Sequence, residues 1–435
     1  MKFLDEYFGI SASGSNLYRE IIAGVTTFFA MSYILFANPA ILSEAGMDKS
    51  ILFTSTAIAA IIGCLAMGIY ARLPFALAPG MGLNAFFTYT ICLQLGHSWQ
   101  FALAAVFCEG VVFLLISIFN IRGLIINLIP KTLHYAFCPG IGLFIAFIGL
   151  QMAGLVEPRQ GTILKLGNVY DPNAILSCVG VVVIGALYMR KIHGGMLLGV
   201  AIICLLALPF GMVKIDSLFS LPPNVMPVFM KFDFSELFSF DFICVIILLL
   251  SVDIFDTLGT LVGVAESANM IDEKGNVKNN RKAFIADSLS TIFGAMFGTS
   301  TTTTYVESST GVAAGGRTGI TAIVTALCFV MALFYYPIFS AVPKSAIAAM
   351  LIFAGFNMFM SSPIREINFK DYSESIPAFI TLLMMPFTYS IMEGISFGVL
   401  SYVFINALSG NFKKIGIGTL VLAIFFMARF VVFKI

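Results

Sequence analysis

Two aspartates and a glutamate set the chemistry this sequence can offer. Asp253 and Asp256 lie in "FICVIILLLSVDIFDTLGTLVGVAES", residues 242–267. With Thr257 and Thr260 they follow i, i+3, i+4, i+7 spacing, one polar stripe on an otherwise apolar helix. Glu307 follows a threonine run in "TSTTTTYVESSTG", residues 299–311. A carboxylate at membrane depth is costly unless it is paired, solvated or protonated. Two of them one turn apart on one face can take up a proton on one side of a membrane and release it on the other. A carboxylate also accepts two parallel N–H bonds from one planar edge, and Phe75 or Tyr305 could stack on such a ring. No Lys or Arg falls deep in the spans beside these acids. The pattern therefore wants cations or neutral ligands rich in N–H donors, rather than inorganic anions.

Other polar residues inside apolar segments leave alternatives open. Glu109, in "VFCEGVVF", is isolated, and a protonated packing role and a proton path fit it equally. Asn84 is either a strand-bridging amide or, the preferred reading, a ligand contact. Thr26, Thr27, Ser32 and Tyr33, in "GVTTFFAMSYI", serve helix–helix hydrogen bonding or substrate contact. Asp287, read as near a helix start, suits a dipole contact, and Glu266 and Glu393 read as solvated boundary residues. Gly259 and Gly263, four apart, would allow close helix approach.

The elements that must hold these residues are membrane spans. Hydrophobic residues make up 59% of the 435 and charged residues only 11%, with a mean hydropathy of +0.98. This lies far outside the range of soluble domains. Apolar runs of about 18 or more residues with few charges read as membrane-crossing helices. The candidate spans are 19–40, 51–70, 75–91, 98–120, 133–153, 174–190, 195–211, 239–265, 283–298, 303–315, 318–338, 343–361, 374–391 and 393–409. An apolar tail, 415–433, is either a fifteenth span or a helix along the membrane surface. Of the 24 Lys and Arg, only Lys49, Arg159, Lys165, Lys214, Lys231 and Lys344 fall on the side opposite the N-terminus. Apart from Arg429 and Lys434 in the tail, the rest lie on the N-terminal side, which implies a cytoplasmic N-terminus. The first ten residues, "MKFLDEYFGI", do not fit a cleavable signal. The eight cysteines lie mostly inside apolar runs and form no C-x-x-C pair, so they read as buried thiols. His97, His134 and His193 offer no metal-ligand pattern. Neither a metal nor a cofactor is expected, and no basic block suggests nucleic acid.

Two spans are interrupted in the same way. "RLPFALAPGMGLNAFF" (72–87) carries Pro74 and Pro79, so 73–78 should be extended, with a helix starting near Pro79. The run Thr301–Thr304, with Tyr305 and Val306, favours an extended stretch, and the Ser and Thr that follow suit a helix start. Each reads as a short strand feeding a half-helix. The strand "LPFAL" (73–77) would pair with the threonine run. Asn84 and Glu307 are separated by about half the chain, in spans 3 and 10, which implies two seven-span repeats. An odd number of spans per repeat inverts the second copy. Matched interruptions in two halves point to a transporter's binding site, because extended backbone at membrane depth must be satisfied by other protein. The fold class is thus an all-α polytopic membrane protein with fourteen segments in two inverted repeats.

Four stretches resemble signature segments of the azaguanine-like purine permeases, within the nucleobase–cation symporter-2 (nucleobase–ascorbate transporter) group. They are "AGVTTFFAMSYILFANPAIL" (23–42), "APGMGLNAFF" (78–87), "VDIFDTLGTLVGVA" (252–265) and "TSTTTTYVESSTGVAAGGRTG" (299–319). The resemblance runs nearly end to end and implies the uracil-permease fold. Residues 1–132 and 239–340 would form a core domain of spans 1–4 and 8–11. Residues 133–238 and 341–411 would form a gate domain of spans 5–7 and 12–14, with 412–435 as tail. It further implies proton-driven uptake of adenine, guanine or hypoxanthine across the plasma or inner membrane. Asp253 and Glu307 would hold the purine, Asn84 would support it, and Phe75 and Val306 would add backbone polar groups; Thr26 is added as a candidate contact from its place in span 1. Asp256 would serve translocation or proton coupling, and Asp253 and Glu109 are the further carboxyls read as candidates for the proton path. Where the wider group often has a histidine, one turn after the span-8 acid, this chain has Thr257, so the proton route must use carboxylates. A homodimer is an allowed assembly. A same-fold anion transporter is the alternative, which the absence of deep cations disfavours. An ion channel disagrees with the broken inverted repeat. An intramembrane acid protease would need a G-x-G-D pattern, which is absent.

Overall fold

Prolines in one half of the chain and a β-branched run in the other break the helices at matched places, and the two breaks satisfy each other. In the computed structural model, Leu77–Pro79 pairs antiparallel with Thr302–Thr304, in the register Leu77↔Thr304, Ala78↔Thr303, Pro79↔Thr302. The ladder continues at both ends: Gly80 N donates to Thr301 O at 3.0 Å and Tyr305 N to Ala76 O at 3.0 Å. This differs from the expected strand at 73–77 with a helix from Pro79. Pro79 closes the strand and the helix begins at Met81. The cause is the partner, since the backbone stays extended for as long as Thr301–Thr304 offers hydrogen bonds.

The structure describes residues 2–119, 130–159, 161, 164–192, 194–215, 217–268, 270, 277, 279–361 and 364–433. Arg122, Lys274, Lys278, His193, Lys434 and the side chain of Glu266 lie outside that description. After a short helix, Lys2–Phe8, fourteen segments follow. Span 1 is Leu17–Met31 and Ile34–Leu42, broken at Ser32–Tyr33. Span 2 is Lys49–Leu65 with wider turns to Ala71, and span 3 is the first strand followed by helical turns to Gln94. Spans 4 to 7 are Trp99–Phe119, Lys131–Met152, Pro172–Met189 and Gly195–Ala207. Spans 8 and 9 are Phe240–Ser267 and Asn280–Met296. Span 10 is the second strand and Ser308–Ala313. Spans 11 to 14 are Gly319–Leu333, Lys344–Ser361, Tyr372–Phe387 and Ile391–Leu408, and a tail helix, Ile417–Phe433, ends the described chain. Among the described residues, eight of these helices are long and apolar enough to cross a membrane unaided. A small hairpin, Val156–Pro158 with Leu164–Leu166, follows span 5.

Spans pack in two sets. Span 1 lies on span 11, span 2 on spans 9 and 11, and span 4 on span 9, while span 5 lies on spans 12 and 13, span 6 on span 12, and span 13 on span 14. Backbone approaches closely at two glycine pairs, Gly68 with Gly319 and Gly142 with Gly355. A Cβ on any of the four would collide with the carbonyl of its partner. Close approach was expected instead at Gly259 and Gly263, but a Cβ at either meets nothing within 4 Å. Among the described residues, no other element closes on span 8 at these two glycines. Glu20, fully buried, ties the two halves: its carboxylate accepts from Arg317 N at 3.0 Å, Thr318 N at 3.3 Å and Thr321 Oγ1 at 2.6 Å. It thereby satisfies N–H groups that the start of span 11 would leave unpaired.

The tail runs back antiparallel along span 14. Arg429, 1% exposed, places Nη1 2.8 Å from Glu393 Oε1, and Phe430 meets Phe397 with ring centroids 5.3 Å apart. Glu393 is therefore no solvated boundary residue; the tail covers it and supplies its cation. Outside the spans, the Lys414 ammonium beside Asp371 holds that carboxyl down at about 2 and fixes the start of the tail to the head of span 13. Removing the cation alone, as in Arg429→Met, leaves a buried unpaired carboxylate and is expected to cost about 3–5 kcal/mol. The double change Arg429→Met with Glu393→Leu should recover most of that loss. Thermal unfolding of the detergent-purified variants measures both, and equal melting temperatures for single and double variants would contradict the pairing.

Candidate functional site

From Thr299 to Thr303, each hydroxyl reaches a different span. Thr299 Oγ1 accepts from Asn38 of span 1 at 2.9 Å, Ser300 Oγ donates to Asn84 Oδ1 of span 3, and Thr301 Oγ1 donates to Glu109 Oε2 of span 4 at 3.3 Å. Thr302 meets Thr291 of span 9, and Thr303 meets Thr257 of span 8 at 3.0 Å. This fan of bonds fixes the strand, and the strand delivers Glu307 to the head of the half-helix Ser308–Ala313. Glu307 Oε1 accepts the Tyr33 hydroxyl at 2.8 Å. Tyr33 can reach it because span 1 is interrupted there. Tyr305 donates to Pro79 O at 2.6 Å, and the Tyr33 and Tyr305 rings lie 6.4 Å apart.

Beside this carboxylate opens a cavity of about 430 Å³, within the usual range for small-molecule sites. Its walls come from Tyr33 of span 1, Gly80 and Met81 of span 3, Asp256 and Thr260 of span 8, and residues 303–307 of span 10. Across from them stand Tyr188 of span 6 and a stretch of span 12 around Asn357. Among the described residues, no Lys, Arg or His lines it. Among the described residues no group of three His, Cys, Asp or Glu is arranged to hold a metal.

A second layer of acids lies behind the cavity wall. Asp253 is fully buried and faces the Glu109 carboxyl of span 4. Among the described residues, no donor group hydrogen-bonds either Asp253 oxygen. Asp287 accepts the Thr257 hydroxyl at 2.6 Å, and Thr257 in turn meets Thr303. Asp287 sits two turns into span 9, which begins at Asn280, so the dipole contact expected at a helix start does not apply. Its burial and its carboxylate–hydroxyl bond are what sequence spacing did not reveal.

The structure thus brings Asp256, Glu307 and Val306, with Tyr33 and Tyr305, into the cavity wall and leaves Asp253, Asn84, Glu109, Phe75 and Thr26 off it. Asn84 is fully buried and uses its carbonyl on Ser300. Phe75 precedes the strand and is fully buried in the apolar cluster around spans 2, 8 and 9. Thr26 turns its hydroxyl back to Ile22 O at 2.8 Å. Val306 is 39% exposed, with its carbonyl accepting Ser309 N at 2.9 Å. Tyr33 and Thr260 had been visible as polar residues in spans. Asn357, in "AGFNMFMS", had the same signal, a lone amide in an apolar segment.

A cavity with two carboxylates in its wall, beside two interrupted and mutually paired half-spans, fits a membrane permease. Residues 18–397 match the model of the Permease family, and the chain belongs to that family. It is 39% identical to the adenine permease AdeQ of Escherichia coli over 428 residues, covering 98% of this chain and 96% of the relative. It is 40% identical to the guanine/hypoxanthine permease PbuO of Bacillus subtilis over 432 residues, covering 97% and 99%. The transmembrane domain of the cyanobacterial bicarbonate transporter BicA superposes with a TM-score of 0.65 at 13% identity, covering 87% of this chain and 97% of that one, which establishes the shared fold alone. The purine-permease resemblance and the inverted seven-plus-seven architecture read from the sequence both stand.

Proposed function

We propose that this permease carries purine nucleobases (adenine, guanine or hypoxanthine) into the cell in symport with protons, from a site formed by Glu307 and Asp256. The observation that carries the reading is the pair of carboxylates in one cavity with no cationic side chain among its described lining residues. Two acceptor-only groups match the N–H edge of a neutral planar base, and Tyr33 and Tyr305 add aromatic faces beside them. The names of AdeQ and PbuO point to the same ligand class. An anion substrate would meet repulsion there.

In this reading Asp256 takes the contact that the family resemblance implied for Asp253. Asp253 and Glu109 form the proton site: a carboxyl pair holds one proton between its members. The proton loads from the outer side and leaves to the inner one. Thr257 and Thr303 link this layer to Asp287 and to the strand, so the occupancy of the pair is felt at the cavity wall. Spans 1–4 and 8–11 act as the moving core and spans 5–7 and 12–14 as the gate, in a cell membrane with the N-terminus cytoplasmic. The two packing sets support this division.

Proteoliposomes containing the purified chain should take up radiolabelled adenine or hypoxanthine saturably, and an inward proton gradient should raise the accumulation. No saturable purine uptake with any gradient would end the reading. Glu307→Gln and Asp256→Asn each remove a charged acceptor from the cavity, and each should weaken purine binding by about 10- to 100-fold. Binding within twofold of the unaltered chain would remove that residue from the site. Glu109→Gln should leave purine binding nearly intact while gradient-driven accumulation collapses to equilibration. Undiminished accumulation would show that the proton travels elsewhere.

A further inference from the structure

Span 12 gives the cavity five residues, of which Ala354, Phe356, Met358 and Met360 are apolar and Asn357 is the exception. A side-chain amide in the middle of "KSAIAAMLIFAGFNMFMS" sits where a membrane span usually gives such a group a partner on a neighbouring helix. Asn357 has none: its amide makes no hydrogen bond to any described residue, and it is partly exposed to the cavity. Uncommitted amides at membrane depth are costly unless a ligand or water satisfies them.

The opposite wall shows what such an amide is needed for. Asp256 and Glu307, when ionised, only accept hydrogen bonds. They match ring N–H groups and exocyclic amines, yet they repel a carbonyl oxygen. Purines differ at position 6: adenine carries an amine that donates, whereas hypoxanthine and guanine carry an oxo group that accepts. An asparagine amide offers a carbonyl on one side and an NH₂ on the other, and a rotation of its terminal torsion exchanges them.

We infer that Asn357 hydrogen-bonds the position-6 substituent of the bound purine from the span-12 wall, and that turning its amide lets one cavity accept both 6-amino and 6-oxo purines. The inference rests on the purine reading above and deepens it. It also makes the ligand a bridge between the two packing sets, with carboxylates on spans 8 and 10 and the amide on span 12.

The test is competition against labelled adenine uptake in proteoliposomes, with unlabelled adenine, hypoxanthine and the unsubstituted 6-H purine as competitors. Asn357→Leu keeps the volume and loses both polar atoms. Inhibition by adenine and by hypoxanthine should each weaken about tenfold, while inhibition by 6-H purine changes less than twofold. Asn357→Gln, which keeps the amide, should retain part of the preference for 6-substituted purines. Asn357→Ala should repeat the leucine pattern, so the test survives if leucine is poorly accommodated. An equal loss for all three competitors, or no loss for any, would overturn the role given to Asn357 while leaving purine transport standing. Failure of the unaltered chain to take up adenine would instead remove the purine reading itself.

Discussion

Six residues of antiparallel backbone hold this structure together at its centre. Leu77–Pro79 and Thr302–Thr304 run extended inside a bundle of helices, where unpaired N–H and C=O groups would each cost several kcal/mol. Each strand is the other's only backbone partner in its sheet. Neither half of the chain can form its interrupted span without the other half in place. The side chains extend the same constraint: Thr299 through Thr303 bond to spans 1, 3, 4, 9 and 8 in turn. A run that reads as low complexity is a junction with five separate addresses.

The spacing of polar residues along a helix reports a face, and it does not report depth. Asp253 and Asp256 share a side of span 8, as their separation of three requires, but they differ by about 4.5 Å along its axis. Which of the two meets the cavity depends on where the span-10 strand crosses, and that is set by a register no sequence period encodes. The register itself moved for the same reason. Proline rules located the break near residue 74, but the number of extended residues was fixed by the length of the partner strand. Spans, the two matched breaks and the acidic stripe were legible because each is a local property. Asp287, Glu393 and the glycine pairs were not, since each gains its meaning from an element far away in the chain.

Charge is distributed with the same economy. Arg429, nearly inaccessible, is committed to Glu393 at the edge of the bundle, and Glu20 satisfies backbone donors at the start of span 11. The acids nearest the strands meet hydroxyls instead: Glu307 has Tyr33, Asp287 has Thr257, and Glu109 has Thr301. A hydroxyl can donate to a carboxylate or accept from a carboxylic acid, so it tolerates either protonation state where an arginine would enforce one. Structural carboxylates such as Glu393 and Glu20 are held by a cation or by backbone donors, while those near the strands meet hydroxyls, which suits the proton role proposed for them.

The position of the cavity joins these arguments. Its walls belong to both packing sets: spans 1, 3, 8 and 10 on one side, spans 6 and 12 on the other. A ligand that fills it makes contacts that neither set makes alone, so its binding free energy depends on how the sets are placed relative to each other. Under the carrier reading, that differential affinity is the only way occupancy can bias one arrangement over another. The strand junction keeps the carboxylates in fixed geometry on one side, because five spans anchor it. Under the same reading, movement is left to the contact with span 12, whose lining is apolar apart from one uncommitted amide. A rigid acidic half-site facing a sparsely bonded wall can release its ligand by separation of the two sets, without dismantling the hydrogen bonds that hold the core together.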